Sequence, residues 1–254
     1  MKKHYPKTNA SQLHYLPASP YHPADTYFHF SFANYYNPEK MRYGVLRVLN
    51  DDDVNPQDGF DRHPHQDMEI VSYVVSGTLT HWDSATNIED ELGRGHVQTV
   101  TAGNGVWHSE LNNQDDRCRF LQIWILPPEK GLPVRYENHK YQPEDRQNQL
   151  LQIVGNLSNK DEIPLHLNQD INMFVSELTQ KNAEVSYTLK AGRQAYLNNI
   201  EGELKVNGVD TLVERDSMEI DGPVELAFSS EQGHAHFILI EMAAPTFKQP
   251  SIVH

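Results

Sequence analysis

Cysteine is almost missing: Cys118 is the only one in 254 residues. No intrachain disulfide can form, and thiolate metal clusters and Cys-x-x-Cys redox centres are excluded. Positive charge is scarce as well, with 21 Lys and Arg against 35 Asp and Glu and a formal charge of −14. A surface of that sign repels phosphate backbones, and no basic run offsets it. Nucleic acid is therefore not an expected partner, whereas a basic protein partner is compatible with the charge. No apolar run reaches membrane-spanning length. The opening MKKHYPKTNASQLHYLPASP is basic but lacks the apolar core of a signal peptide. The expectation is a soluble, cytoplasmic monomer. Long 3.6-residue apolar periods are absent too, so helices should be few and short.

What the chain does have is β signal. Apolar residues make up 38%, with 12 Tyr, 9 Phe and 3 Trp, enough to build cores. MRYGVLRVLN, EIVSYVV, TLTHWD, HVQTVTA and CRFLQIWIL read as strands, while DDDVNPQDG, DSATNIEDE, GRG and AGNG read as the loops between them. After Pro127-Pro128 the stretch PPEKGLPVRYENHKYQPEDRQNQ is polar and proline-bearing, the best candidate linker. A second β-rich block follows, from LLQIVG to HFILIEM, in which Asn207-Gly208 sits between two strand-like arms as a type I′ hairpin signal. The fold class is all-β, with an N-terminal domain over 1–140 and a C-terminal domain over 141–254, each a sandwich or barrel.

Two short segments carry the chemistry. DRHPHQDMEIVSYVVSGTL holds His63 and His65; TAGNGVWHSEL, about 45 residues on, holds His108 and Glu110. On a strand, i and i+2 point to the same face, so each segment can aim two ligands at one point. By that counting His63, His65 and Glu69 share one face, and His108 and Glu110 another. Leaving so many buried polar groups unpaired costs on the order of 1–3 kcal/mol each, and a divalent ion satisfies them together. Parity alone leaves open whether Glu69 or Glu110 is the carboxylate ligand. Four protein ligands leave room for a small molecule, such as a vicinal hydroxy-ketone, or for dioxygen. A carboxylate that takes the hydroxyl proton leaves an electron-rich enolate open to dioxygen, and Glu110 is the natural base if its bond to the metal is loose or one oxygen stays free. Fe(II) is the first expectation for the ion; Ni, Mn, Co and Cu accept the same donors, and Zn fits them without redox chemistry.

The same residues bring a family into view. His63-Pro64-His65 with Glu69 and Gly77 resembles the first motif of the cupin superfamily. Gly95-His96-Val97-Gln98, Thr101 to Gly105 and His108-Ser109-Glu110 resemble the second motif as pirins write it, and FHFSFANYYNP and QIWILPPEKGLPVRYE are similar to pirin segments. The likeness is strong over roughly 20–140 and rests on layout beyond. It implies a bicupin of two tandem antiparallel jelly-roll barrels, with metal in the N-terminal one only. It implies ligation by three His and one Glu, which fall on His63, His65, His108 and Glu110, and so favours Glu110 over the Glu69 of generic cupins. It further implies cleavage of quercetin with dioxygen, as in some members, or service as a transcriptional cofactor, as in others. Gln66-Asp67-Met68 departs from the commoner Arg-Gly-Phe, beside the metal, and His96 stands where an acidic residue is frequent.

The remaining histidines read as ordinary. His81, His139, His166 and His254 are taken as surface or core residues. His234-x-His236 has no matching H-x-E near it, and Leu197, Asn199 and Glu201 occupy the place of an H-x-H in the second block. Trp82, Trp107 and Trp124 are expected in the core, and Phe30, Phe32 and Phe60 at a pocket mouth. Two function classes result: a metal-dependent quercetin 2,3-dioxygenase, or a non-catalytic metal-containing sensor or protein-binding module. A pocket closed by the C-terminal domain would favour the second.

Overall fold

The structure is a computed structural model and describes residues 5–159 and 163–245. Strands dominate them, and the helical residues among them are three single 3₁₀ turns, Ala10–Gln12, Pro143–Asp145 and Leu157–Asn159. His254 lies outside the described residues.

Each half consists of one seven-stranded and one four-stranded sheet, and neither pair closes into a barrel. The expected barrels are thus two-layer sandwiches with free edges. In the N-terminal unit the large sheet runs, edge to edge, Arg135–Lys140, His96–Thr101, Glu69–Ser76, Cys118–Ile125, Leu46–Val54, Ala24–Phe28, His14–Leu16. Its small sheet runs Asp58–His65, Val106–Asn112, Leu79–Asp83, Glu89–Leu92. The C-terminal unit repeats this layout, and its large sheet accepts Lys7–Thr8 from the chain start against Ser217–Met218. Among the described strands every pairing is antiparallel except that of Leu151–Asn156 with His166–Leu167.

Period-two alternation explains the layering. In Glu69–Ser76, Ile70, Ser72 and Val74 face the interior of their own unit, while Val71, Tyr73 and Val75 join a core shared with Ile153, Ile171, Ile238 and Ile240 of the other unit. The two large sheets therefore pack on each other, and the largest apolar cluster lies between the units. Ion pairs rim it: Asp51 with Arg119 and Arg215, Arg94 with Glu177 and Glu201, and Arg146 with Glu177.

Two sequence readings change here. The Asp-rich DDD is not loop: Leu46–Val54 continues as strand through it, so Asp52 faces inward while Asp51 meets Arg119 on the other face. RYENHK, read as linker, forms the edge strand Arg135–Lys140 paired with His96–Thr101. Asn207 and Gly208 do form the expected turn, at φ 52° and 61°, between Leu204–Val206 and Asp210–Leu212.

His236 has a structural occupation. Its Nε2 pairs with the Tyr73 hydroxyl at 2.8 Å and its Nδ1 with Glu201 at 2.8 Å, joining the units. His236→Ala should lower stability by about 1–3 kcal/mol, the usual cost of stranding buried polar partners, and leave metal content unchanged. Thermal melting and metal analysis check both; loss of a metal equivalent would place a site in the second unit.

Candidate metal centre

The interiors of the two units differ in kind. That of the C-terminal unit is a continuous apolar cluster around Leu197, Leu204, Phe228, Phe237 and Leu239. In the N-terminal unit two small apolar clusters flank a polar zone. One wall of that zone is a row across five strands of the large sheet, with Asn50, Gln122, Ser72, Gln98 and Asn138 side by side. The other wall is the small sheet, where Asp58–His65 lies against Val106–Asn112 with His63 directly across from His108 and His65 across from Val106.

A bulge shapes that pairing. His108 pairs with His63 but Glu110 pairs with Phe60, so Asp61 and Arg62 share one position. Bulges re-aim side chains, and here the Asp61 carbonyl accepts from His63 Nδ1 at 2.6 Å. With its proton on Nδ1, the His63 Nε2 presents a lone pair inward. Gly59 allows the strands to close: at φ +155° a Cβ there would meet Leu111 Cα at 2.6 Å.

The ligand atoms of His63, His65 and His108 lie within 4.8 Å of one another. His63 Nε2 and His108 Nε2 are 2.9 Å apart. Burial disfavours the charged form of two of the rings, with His65 lowered to about 4 and His108 to about 2. Glu110 is buried beside them and stands outside that 4.8 Å group. Its Oε1 accepts from Ser72 Oγ at 2.7 Å and Gln98 Nε2 at 3.0 Å, and its Oε2 from Gln122 Nε2. All three donors are neutral, and burial pushes the carboxyl up to about 7 despite them. Three imidazoles converging beside a buried carboxylate without a cationic partner among the described residues fit a divalent cation, which would satisfy these groups together.

Glu69 does not belong to this site. The chain leaves the small sheet after His65, turns at Gln66 to Met68 with Asp67 at φ 50°, and starts the large sheet at Glu69. The parity count that put Glu69 with His63 and His65 fails because it runs across that turn. Glu69 faces the other unit, where Oε1 accepts from the Asn168 backbone N–H and Nδ2 at 2.6 and 2.7 Å and Oε2 from the Gln169 N–H at 3.0 Å.

A cavity of about 210 Å³ opens beside the cluster, lined by His63, His65, Glu110, Gln122 and the aromatic rings of Phe28, Phe32, Phe60 and Trp124, and by His22, Asn50 and Asp52. Trp124 is thus a cavity wall, edge-on to His65 at 4.9 Å, rather than core. Trp107 is 52% exposed and Trp82 lies under the Arg62 guanidinium, so neither is the core residue expected. Phe32 and Phe60 line the cavity as expected, but Phe30 lies in the inter-unit core. His81, read as ordinary, is buried between Tyr136, stacked at 4.7 Å, and His108 at 5.5 Å, with neither ring nitrogen hydrogen-bonded.

The comparisons with known proteins agree with this geometry. The pirin family model matches residues 11–125, and a model described as the quercetinase C-terminal cupin domain matches 156–242. A quercetin 2,3-dioxygenase of Escherichia coli is 36% identical over 186 residues, 73% of this chain and 78% of that protein. The chain belongs to the pirin family. Among pirins, a pirin-like protein of Caulobacter vibrioides is 34% identical over 215 residues, 85% of this chain and 90% of its own. A bacterial pirin from Escherichia coli, crystallised in complex with nickel(II), superimposes with a TM-score of 0.85 at 28% identity, covering 95% of this pirin and all of that chain.

Sequence reasoning missed the polar row and Asp52. A partial signal was present: Asn50, Ser72, Gln98 and Gln122 are buried polar residues flanked by apolar ones in strand-like stretches. It emerges only when the pairing register aligns them.

The buried groups predict how the metal-free pirin responds to acid. Burial lowers His29, His65 and His81 to about 4 and His108 to about 2. It raises Glu110 and Asp52 to about 7. Below an unfolded pKa of about 6.5, the unfolded chain takes protons on four imidazoles that the folded chain refuses. The folded chain in turn holds protons on two carboxyls that the unfolded chain sheds down to about pH 4. The excess on the unfolded side destabilises the fold as pH falls from about 6.5 to 4, by about 1.4 kcal/mol per pH unit for each net proton. A melting temperature that is flat or rises over that window would refute the neutral-imidazole assignment.

Proposed function

We propose that this pirin is a metal-dependent dioxygenase that cleaves a flavonol such as quercetin with dioxygen. The observation that carries the reading is the juxtaposition of the three-imidazole cluster and Glu110 with a cavity walled by Phe28, Phe32, Phe60 and Trp124. His63, His65, His108 and Glu110 would hold the ion, with Fe(II) as first choice and Ni, Mn, Co, Cu or Zn accommodated by the same donors. When bound, a divalent metal supplies Lewis acidity and, for a redox-active ion, a route for dioxygen chemistry.

The protein's own groups do the rest. The apolar rings hold a flat aromatic molecule and exclude water. His63 is fixed in one tautomer by the Asp61 carbonyl. Ser72, Gln98 and Gln122 orient Glu110, whose carboxylate accepts the proton of the substrate hydroxyl. The sensor alternative, which a pocket closed by the second unit would favour, lacks that support: every residue lining the cavity comes from the N-terminal unit. Oxygen uptake with quercetin, after reconstitution with iron, nickel or manganese, tests the proposal. No uptake with any of the three would reject it.

A further inference from the structure

The cavity has polar groups on the large sheet that neither the proposed metal nor Glu110 uses. Asn50 and Asp52 lie two apart on Leu46–Val54, both buried and both facing the cavity. Among the described residues the Asn50 side-chain oxygen has no hydrogen-bond partner. Asp52 Oδ1 accepts from Thr26 Oγ1 at 2.5 Å, and Thr26 Oγ1 is in turn held by His22 Nε2 at 2.8 Å. Since the Thr26 proton goes to Asp52, the His22 Nε2–H donates to Thr26. This fixes the carboxyl in place, and among the described residues it takes no other hydrogen bond. A buried amide left unpaired is costly, and a pre-oriented carboxyl beside it in a ligand-sized space marks a site for a donor that arrives with a ligand.

We infer that Asn50 and Asp52 form a second, hydroxyl-binding pole of the cavity, and that the substrate is an aromatic with a further phenolic hydroxyl besides the group that meets the imidazole cluster. This rests on the flavonol reading above and adds which flavonols are selected. The two poles stand on different sheets, the imidazoles on the small sheet and Asn50 and Asp52 on the large one, and Phe28, Phe60 and Trp124 line the same cavity. Beyond His22, Phe60 and His63 an outer bowl of about 410 Å³ adjoins the cavity, giving a multi-ring ligand room to extend. A site built to accept a hydrogen bond from a ligand hydroxyl discriminates strongly against the analogue that lacks it, because its own polar groups are then stranded.

The test is binding of three probes to the metal-loaded protein without oxygen: 3-hydroxyflavone, 3,7-dihydroxyflavone and 3,4′-dihydroxyflavone. Quenching of tryptophan fluorescence reads affinity, since Trp124 lines the cavity. Wild type should bind one of the dihydroxy compounds about tenfold or more tighter than 3-hydroxyflavone. Asn50→Leu and Asp52→Leu should each bring that ratio close to one. Asn50→Leu replaces an amide oxygen that has no partner, so it should melt no lower than wild type, which keeps the test valid if Asp52→Leu folds poorly. If all three probes bind wild type equally, or if Asn50→Leu preserves the ratio, the second pole is refuted while the flavonol reading stands. If wild type binds none of them, the flavonol reading falls and this inference with it.

Discussion

Replacing His63 and His108 together by alanine should strip the protein of metal while leaving a folded β protein. The two rings face each other across paired strands with Nε2 atoms 2.9 Å apart, so any ion at the cluster is bound by both. Losing even a hydrogen-bonding partner of a ligand typically weakens metal affinity 10- to 100-fold. Removing two ligands should therefore exceed about a hundredfold and leave little metal after purification. The fold survives because neither residue belongs to an apolar cluster, and the largest of those lies between the units, away from the site. Far-ultraviolet circular dichroism should match wild type, and elemental analysis should show the loss. Near-stoichiometric metal in the double variant would place the ion elsewhere and sink the ligand assignment.

The clustering of His63, His65 and His108 was legible in the sequence because a strand places i and i+2 on one face, so H-x-H and H-x-E each name a direction. The hairpin at Asn207-Gly208 was legible because both turn positions need positive φ, and this dipeptide tolerates it. The failures have a common origin in register and strand termini, which local pattern does not fix. Asp51, Asp52 and Asp53 look like a loop because acidic runs disfavour strands, yet pairing with Cys118–Ile125 and burial of Asp51 against Arg119 carry the strand through them. RYENHK lacks an apolar face because it is an edge strand. Barrel closure depends on how the sheet edges meet, and no single strand encodes that. Strand parity did not separate Glu69 from Glu110; the turn at Asp67 does, sending one to the inter-unit face and leaving the other inside.

The sharpest division of roles is between those two carboxylates. Glu110→Gln keeps the shape and one oxygen but removes the charge and the basicity. Gln122 can rotate its amide so that its oxygen faces the new NH₂, while Ser72 and Gln98 still donate to the remaining oxygen, so the interior stays satisfied. The metal-free variant should melt no lower than wild type, because a buried carboxyl with no cationic partner has been neutralised. Metal affinity should fall modestly. Turnover of quercetin should fall by a factor of roughly a hundred or more, the usual share of a positioned base. Glu69→Gln should behave in the reverse way. It leaves one of the donors from Asn168 and Gln169 without its acceptor at the face between the units, costing about 1–3 kcal/mol. Its turnover at equal metal occupancy should stay within a few-fold of wild type, since it touches neither cavity nor cluster. Both variants must be reconstituted to the same metal content, otherwise lost metal mimics lost chemistry. If Glu69→Gln abolishes oxygen uptake and Glu110→Gln preserves it, the carboxylate has been assigned to the wrong strand, and the inward-facing Glu110 is a structural acceptor for Ser72, Gln98 and Gln122 alone.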